Sequence, residues 1–492
     1  MKEKYKLKNR MLSRSISLSL IRIERLRRMR TIRYALLLSV ILMAAAVPVV
    51  GQEHSLHDLQ QHFIDLRFGM FIHFNIPTYS TEDWADPDMP AEAFNPVRLD
   101  CRQWARAAKD AHMSYGCLTT KHHSGFCIWD TQTTDYNSMQ SPVRRDVVRE
   151  FVDAFRAEGL EVMLYYSILD THHRLRPGHI SEDKVEMVKA QLRELLTAYG
   201  DITALVIDGW DAPWSRISYD EVPFREIYEL VKELQPNCLL MDLNAAKYPR
   251  EALFYTDIKS YEQGAGQQIS TSENRLPALA CLSLQRTWFW KESMPTDRLK
   301  DVEWLVNKNI IPYNKAYCNF ILNVAPNRDG LMDDNAVAAL RQIGSIWSND
   351  GRVADLPVCE PPIIQHNIAK NRPTEYSWSW DYGIGDFAVD DDFVAAWTSH
   401  PSVAEPWWQV SIDSNELIDK VTIVEEKADV IKEYRLEYHD GERWNIIYAG
   451  PSHTTCRVKQ HTFAPVHAEA VRITVTRHEG WVKIAEFGVY RY

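Results

Sequence analysis

Two acidic residues in the 492-residue sequence stand where a carboxyl group could do covalent chemistry. Asp208 closes the apolar run Ile202 to Ile207 and precedes Gly209, so its carboxylate would be held rigidly at the exit of a strand. Glu262 lies in Asp257-Ile-Lys-Ser-Tyr-Glu262-Gln-Gly-Ala-Gly, just past an apolar run at Ala252 to Ile258, where a glycine-containing loop could hang an acid over the same pocket. Two carboxyl groups flanking a bond to a sugar can hydrolyse it: one attacks the anomeric carbon and the other protonates the leaving oxygen. Each also has a plainer reading, because Asp-Gly is a common turn pair and glutamates are usually solvated. Glu273 and Glu292 are rivals for the second carboxyl. Other polar residues recur after apolar runs: His73 after Gly-Met-Phe-Ile, His122 and His123 after Leu-Thr-Thr-Lys, and Tyr165 with Asp170. Adjacent histidines on a strand point to opposite sides, and no His-x-Glu or paired-Cys spacing accompanies them, so the pattern speaks against a zinc site.

The elements that would position these groups alternate in type. Asp100 can cap a helix through Trp104, Ala107, Ala108 and Ala111, followed by a strand Tyr115 to Thr120. A helix Val147 to Glu158 stops at Gly159 before a strand Leu160 to Tyr166. Ser181 can cap a helix with Val185, Val188, Leu192 and Leu195 on one face and Gly200 as its stop. Further strands are expected at Phe68 to Phe74, Cys238 to Leu243, Ala252 to Ile258, around Leu279 to Phe289, and at Cys318 to Val324. Eight strands alternating with helices predict a (β/α)8-like barrel over residues 52–347, whose strand C-terminal ends converge on one face. A doubly wound sheet is the rival, without a Gly-rich phosphate loop to support it. Pro357, Pro361 and Pro362 mark residues 348–362 as a linker, and strict alternation such as Tyr434, Leu436 and Tyr438 predicts a β-sandwich of jelly-roll type over 363–492.

Composition narrows the classes. Hydrophobic residues at 45% and charged residues at 25% exclude collagen-like, low-complexity and coiled-coil chains, and the 11% aromatic content suits a surface that receives sugars. Residues 1–51 carry twelve Lys or Arg in their first part and a 17-residue apolar run from Tyr34 to Val50, the layout of a secretory signal with cleavage before Gln52. An uncleaved anchor is the alternative, and a periplasmic or cell-surface location follows from the first reading. Without that segment the chain is near −21, a charge that repels phosphate backbones and argues against nucleic-acid partners. The eight cysteines, at 101, 117, 127, 238, 281, 318, 359 and 456, lack CxxC spacing and read mostly as buried free thiols. Asp390 to Asp392 could serve an oxygen-ligated structural Ca²⁺ or form a solvated turn.

Several separated motifs resemble one family. Arg67-Phe-Gly-Met-Phe-Ile-His73-Phe, Lys121-His122-His123-Ser-Gly-Phe-Cys-Ile-Trp129, Arg145-Asp146-Val-Val, Leu164-Tyr165-Tyr-Ser167, Ile207-Asp208-Gly209 and Asn319-Phe-Ile-Leu-Asn323-Val-Ala-Pro-Asn327-Arg-Asp-Gly330 follow the order seen in the α-L-fucosidases of glycoside hydrolase family 29. The resemblance implies a (β/α)8-like catalytic domain, a retaining double displacement without a cofactor, Asp208 as nucleophile and a fucosylated glycan as substrate. It places fucose contacts at His73, His122, His123 and Tyr165, and at the pair Asp83-Trp84, where the family usually has Glu-Trp. The wording of Asn319 to Asn323 and of Phe94-Asn95-Pro96 looks most like the subgroup acting on α-1,3 and α-1,4 branches. The chain departs from the pattern at Ser124, usually Asp, and at Val206, usually aromatic. No Glu lies in Leu276 to Cys281, where some members carry the acid, which turns attention to Glu262. A hydrolase for another α-glycoside such as a galactoside, and a noncatalytic glycan-binding protein, are the alternatives. Aromatic residues such as Phe74, Trp84 or Trp288 could cover the apolar face of a deoxysugar. The last 130 residues resemble a coagulation factor 5/8 type C (discoidin) domain, through Trp397-Thr-Ser, Trp407-Trp408-Gln-Val and Ile484-Ala-Glu486-Phe-Gly.

Overall fold

The computed structural model describes residues 54–380 and 382–492. The leader expected over residues 1–51 lies outside them. Eight parallel strands form one sheet: β1 (Phe68–Ile72), β2 (Tyr115–Lys121), β3 (Glu161–Ser167), β4 (Ala204–Asp208), β5 (Leu239–Asp242), β6 (Lys259–Glu262), β7 (Ala278–Ser283) and β8 (Cys318–Asn323). The order β5-β4-β3-β2-β1-β8-β7-β6 wraps the sheet into a nearly closed barrel. At the β5/β6 seam the chain before β6 substitutes for a ladder. The Asp257 amide donates to the Leu240 carbonyl at 2.8 Å, and the Asp257 carboxylate accepts the Leu240 amide at 2.9 Å.

Strand periodicity of two sorts the side chains into two apolar layers. Phe71, Cys117, Met163, Val206, Met241, Cys281 and Ile321 fill the barrel interior, with Phe63 and Ile64 of helix Leu56–Leu66 in the same cluster. Met70, Leu118, Leu164, Leu205, Leu240 and Phe320 face outward against the helices. Asp208 therefore shares the inward face with Ala204 and Val206, Tyr165 shares it with Met163, and residues at the strand C-terminal ends meet over the filled interior. The helices start largely as expected: Asp100 accepts the amides of Arg102 and Gln103, and Asp146 accepts that of Arg149. Ser181 occupies the cap position of Glu182–Ala198 but makes no side-chain cap hydrogen bond. Gly159 and Gly200 end their helices at positive φ of 70° and 71°.

One strand is displaced from its expected place. Residues 252–258 are irregular, because Phe254 bridges to Ile363 and Tyr255 takes a positive φ of 54°, and β6 begins only at Lys259. Glu262 is consequently the last residue of a strand and does not sit on a flexible loop beyond one. Strand β7 also ends earlier than expected, at Ser283.

The C-terminal part is an antiparallel network of β9 (Thr374–Tyr376), β10 (Trp397–Thr398), β11 (Trp407–Glu425), β12 (Ile431–His439), β13 (Trp444–Pro451), β14 (Val458–His478) and β15 (Lys483–Arg491). The long strands β11 and β14 shift register between Ser411 and Glu416 and again between Ile418 and Lys420, and they change partners along their length. Trp408 is in the core and Trp407 lies under the Arg472 guanidinium, as alternation on a strand requires. Val424, Val458, Ala485 and Tyr490 of this part belong to the same apolar cluster as the outer barrel layer, so the two parts are packed together. All eight cysteines are free thiols, six of them buried.

Tight interior packing makes Gly69 a sensitive position. A Cβ there would lie 2.2 Å from the Tyr115 ring, which is fixed by its hydroxyl donating to Asn319 Oδ1 at 2.8 Å. Gly69→Ala is expected to cost about 1–3 kcal/mol by overpacking. A lower urea midpoint at unchanged slope would agree, and an unchanged midpoint would contradict it.

Candidate active site

A cavity of about 320 Å³ opens at the C-terminal ends of the barrel strands, lined by Phe71, His73, Asp83, Trp84, His122, His123, Asp208, Trp214, Leu243, Glu262 and Trp288. Its size falls at the lower end of small-molecule sites, about 300–1,000 Å³. Asp208, at the end of β4, is the most constrained group. Tyr165 donates its hydroxyl proton to Oδ2 at 2.7 Å, and the Asn244 side-chain amide donates to Oδ1 at 2.8 Å. Burial raises the Asp208 pKa, while the bonds from Tyr165, Asn244 and the Gly209 backbone lower it. The Tyr165 hydroxyl itself is pushed well above its ordinary range by burial and by the Asp208 charge, so it keeps its proton and stays a donor.

Glu262 faces the same space from the end of β6. Burial first, and the Asp208 charge second, push its carboxyl up to about 7, and the Trp288 side chain opposes this by hydrogen bonding to it. Burial thus raises both carboxyls in one desolvated cavity, but they differ in support: the rise at Asp208 is opposed by two side-chain donors and a backbone amide, while Glu262 is pushed up to about 7. Glu273 and Glu292 are elsewhere. Glu273 pairs with Arg250 at 2.5 Å and Glu292 with Arg328 at 2.7 Å, both largely exposed. Asp170 is fully buried against Lys121 at 3.2 Å and His173 at 2.9 Å, a structural ion pair that does not line the cavity.

The three histidines are neutral at ordinary pH. Burial pushes His73 down to about 4, His123 down to about 3, and His122 well below its usual range. Their protons can be placed from the partners. Ser167 donates its hydroxyl to the Leu169 carbonyl at 2.9 Å, so it accepts from His123 Nδ1 at 2.8 Å. Asn323 Oδ1 can only accept, so His73 Nδ1 donates to it at 2.8 Å. In both rings Nε2 is left as an acceptor, which suits the O–H of a neutral hydroxylated ligand; His123 Nε2 lies 3.7 Å from Asp208 Oδ2. His122 and His123 both reach the cavity, with ring centroids 3.9 Å apart, contrary to the expectation that they diverge. The reason is that β2 ends at Lys121 and the chain turns, so strand alternation no longer applies.

Asp83 lies on the cavity wall, but its oxygens are already used. They accept the amides of Trp288 at 3.0 Å and Phe289 at 3.2 Å, and Lys291 stands 3.3 Å away. Asp83 therefore holds the segment carrying Trp288. Asn323 holds the same segment by donating to the Trp288 carbonyl at 2.8 Å while accepting from His73. Trp84, 40% exposed, packs on His123 at 4.7 Å and edge-on to Trp214 at 5.4 Å, forming an aromatic rim. Phe74 does not join them; it is fully buried against Phe94 and Trp104, because β1 has ended and its ring turns to the helix layer. Asn244, Asn323 and Trp214 were not among the expected site residues. Asn323 sits at a strand end and could have been found by that rule, whereas Asn244 and Trp214 lie on turns whose direction no periodicity reveals.

Near Asp390 the charges are mutually engaged. Asp391 pairs with Lys370 at 2.8 Å, its amide donates to Glu486 Oε2 at 3.0 Å, and the Asp392 amide donates to Asp390 Oδ1 at 3.0 Å. Among the described residues no group of three or more His, Cys, Asp or Glu side chains is arranged to hold a metal ion.

Known proteins resemble this chain in both parts. The Alpha-L-fucosidase family profile matches residues 83–352, and the F5/8 type C domain profile matches residues 371–487. Alpha-L-fucosidase 1 of Arabidopsis thaliana is 30% identical over 313 residues, a stretch covering 57% of this chain and 58% of that protein. Plasma alpha-L-fucosidase of Homo sapiens is 24% identical over 328 residues, covering 58% of this chain and 66% of its own length. The solved structure of alpha-L-fucosidase isoenzyme 1 from Paenibacillus thiaminolyticus has the same fold, with a TM-score of 0.51, 22% identity, and coverage of 87% of this chain and 100% of that one.

The Trp288 bond to Glu262 has a measurable consequence. Trp288→Phe keeps a ring but removes the donor, so the Glu262 carboxyl should titrate above its present value of about 7. Infrared titration of the protonated carboxyl band, assigned by difference with Glu262→Gln, reads this directly. An unchanged or lowered pKa would show that the indole does not hold the carboxylate.

Proposed function

The chain belongs to the alpha-L-fucosidase family, and on that premise we propose that its barrel releases terminal L-fucose from glycans by a retaining double displacement. The observation that supports this reading best is the pairing in one cavity of Asp208, tied to two donors, with Glu262, whose carboxyl is pushed up to about 7. In the first step an Asp208 oxygen attacks C1 of the sugar, the C1–oxygen bond of the glycoside breaks, and the Glu262 proton passes to the departing oxygen. A fucosyl ester and a free alcohol result, and Glu262 is left as carboxylate. In the second step a water attacks C1, gives its proton to Glu262, and the ester bond breaks, which restores the Asp208 carboxylate. Tyr165 and Asn244 hold the nucleophile in its ionised form and release part of their bonding to the ester oxygen.

Substrate recognition follows from the imidazole and indole rings of the wall. His73, His122 and His123 carry no charge at neutral pH, so they hydrogen-bond hydroxyl groups without the cost of desolvating an imidazolium. Trp288, Trp84 and Trp214 supply flat apolar surface for the methyl-bearing face of a deoxysugar and for the next residue of the glycan. The chemistry calls on no metal. Preference for α-1,3 and α-1,4 branches rests on the motif wording at Asn319 to Asn323, and action outside the cytoplasm rests on the basic and then apolar leader of residues 1–51.

Glu262→Ala separates the proposed acid from a binding role. On aryl fucosides with poor leaving groups turnover should fall by about 10²–10⁴, the usual worth of general acid catalysis. On an activated aryl fucoside the loss should be smaller, and azide should restore turnover and yield a fucosyl azide of retained configuration. Equal losses on both substrates, with no azide product, would remove Glu262 from the acid role.

A further inference from the structure

Asn244 is the only described side chain that donates to Asp208 from outside the strand layer, and the turn that carries it is clamped from two directions. On the outer side of the barrel wall, the ammonium of Lys259 is fully buried and has no carboxylate of the described residues within ion-pair distance. It donates instead to three backbone carbonyls of that turn, those of Ala245 at 2.8 Å, Tyr248 at 2.9 Å and Pro249 at 3.3 Å. Lys259 belongs to β6, the strand that ends in Glu262, but projects to the opposite face, so it cannot touch a substrate. From the C-terminal part, Phe393 packs edge-on to Tyr248 at 5.6 Å and to Phe254 at 5.8 Å. Phe393 itself is held at a positive φ of 60°, a conformation unfavourable for a bulky residue, and its carbonyl accepts from Arg457 at 2.6 Å. The Asn244 amide N–H is also fixed, donating to Asp242 Oδ1 at 2.9 Å, and Asp242 accepts the Tyr219 hydroxyl at 2.6 Å.

We infer that Lys259 and Phe393 are positioning residues for the proposed nucleophile: by clamping the turn at 245–249 they keep the Asn244 amide on Asp208, so that the C-terminal β-part supports chemistry in the barrel. The inference rests on the reading of Asp208 as nucleophile. A buried lysine is an expensive way to fill a core: burial outweighs the charges of Glu251 and Asp242 and pushes its pKa down to about 7, and three converging carbonyls take up its donors. A methionine or leucine would fill the same volume without that cost, and would leave the turn unbraced. Phe393 carries no charge, so any effect of its loss on the ionisation of Asp208 must pass through geometry.

The titratable groups facing Asp208 are Tyr165 from β3, His123 from the turn after β2, Asp242 from β5, Glu262 from β6 and Cys281 from β7. None of them is altered in the test. The test is the pH dependence of kcat/KM for an activated aryl fucoside, with the full chain, in Asn244→Ala, Lys259→Met and Phe393→Ala and in the double variants. Asn244 lowers the pKa of Asp208, so its loss must raise it. The acid limb should move up by about 1 pH unit in Asn244→Ala and by about half a unit in each of the other two, the size of a charge-assisted hydrogen bond lost or loosened. In the Asn244→Ala background, Lys259→Met and Phe393→Ala should add nothing, because the bond they serve is gone. Phe393→Leu, which keeps most of the volume, carries the comparison if Phe393→Ala does not fold. A limb that moves only in Asn244→Ala, or shifts that add fully in the double variants, overturns the inference and leaves the proposed function standing. A limb that does not move even in Asn244→Ala overturns the assignment of Asp208 and the inference with it.

Discussion

A carboxylate held out of water at the end of a strand is the constraint around which this molecule is organised. Desolvation of Asp208 disfavours its charge, and the protein answers with two directed donors, one from Tyr165 on the neighbouring strand and one from Asn244 on the next turn. A second carboxyl in the same dry space cannot ionise cheaply as well, because like charges in a low dielectric repel strongly. The result is a division of labour imposed by environment: Glu262 is pushed up to about 7, while the donors to Asp208 offset part of the rise that burial imposes on it and favour its anion. Two residues of the same chemical type thereby become suited to opposite roles.

The barrel makes that arrangement attainable. Each inward position along β4 is occupied in turn by Ala204, Val206 and Asp208, so the side chain that needs to act stands on a filled core and cannot sink into it. The same alternation lifts Tyr165, Asn323 and Glu262 to one rim. Around them the wall is mostly aromatic and imidazole, and the one further carboxylate on it, Asp83, is engaged by two backbone amides and Lys291. Three buried histidines stay neutral, and two of them, His123 and His73, are oriented by Ser167 and Asn323 so that Nε2 is left to accept from hydroxyl groups. Asp83 and Asn323 spend their hydrogen bonds on the segment of Trp288, which in turn reaches Glu262, so the acid is positioned from the far side of the cavity. The C-terminal part shares an apolar cluster with the outer barrel layer, which places Phe393 over the turn that bears Asn244.

Much of this was legible from the amino-acid pattern because the relevant signals are local. Apolar runs of five to seven residues ending in a polar one mark β2, β3, β4 and β8, and a capping aspartate or a stopping glycine bounds the helices between them. Asp208, Tyr165 and His73 fall where that grammar puts them. The failures have a common cause, which is that chain direction just after a strand is set by tertiary contacts. Ala252 to Ile258 is as apolar as a strand, yet pairing of Phe254 with Ile363 pulls it off the barrel and moves β6 forward, which converts Glu262 from a loop residue to a strand end. His122 and His123 share one cavity because the strand has already ended, and Phe74 misses the cavity for the same reason. Asp83 could be placed near the site by motif, but which atoms its carboxylate serves depends on a segment some two hundred residues away. Lys259, Asn244 and Phe393 form a support that involves three separate chain segments and leaves no periodic trace.

The central claim is that Asp208 becomes covalently attached to C1 of fucose during turnover. Incubation with a 2-deoxy-2-fluoro fucosyl fluoride, which slows both steps and slows ester hydrolysis most, followed by proteolysis and peptide mass spectrometry, examines that bond itself. The account predicts one equivalent of fluorofucosyl group on the peptide containing Asp208, with loss of activity in proportion to labelling. A label on any other side chain, or full inactivation resistance with no adduct, would contradict it.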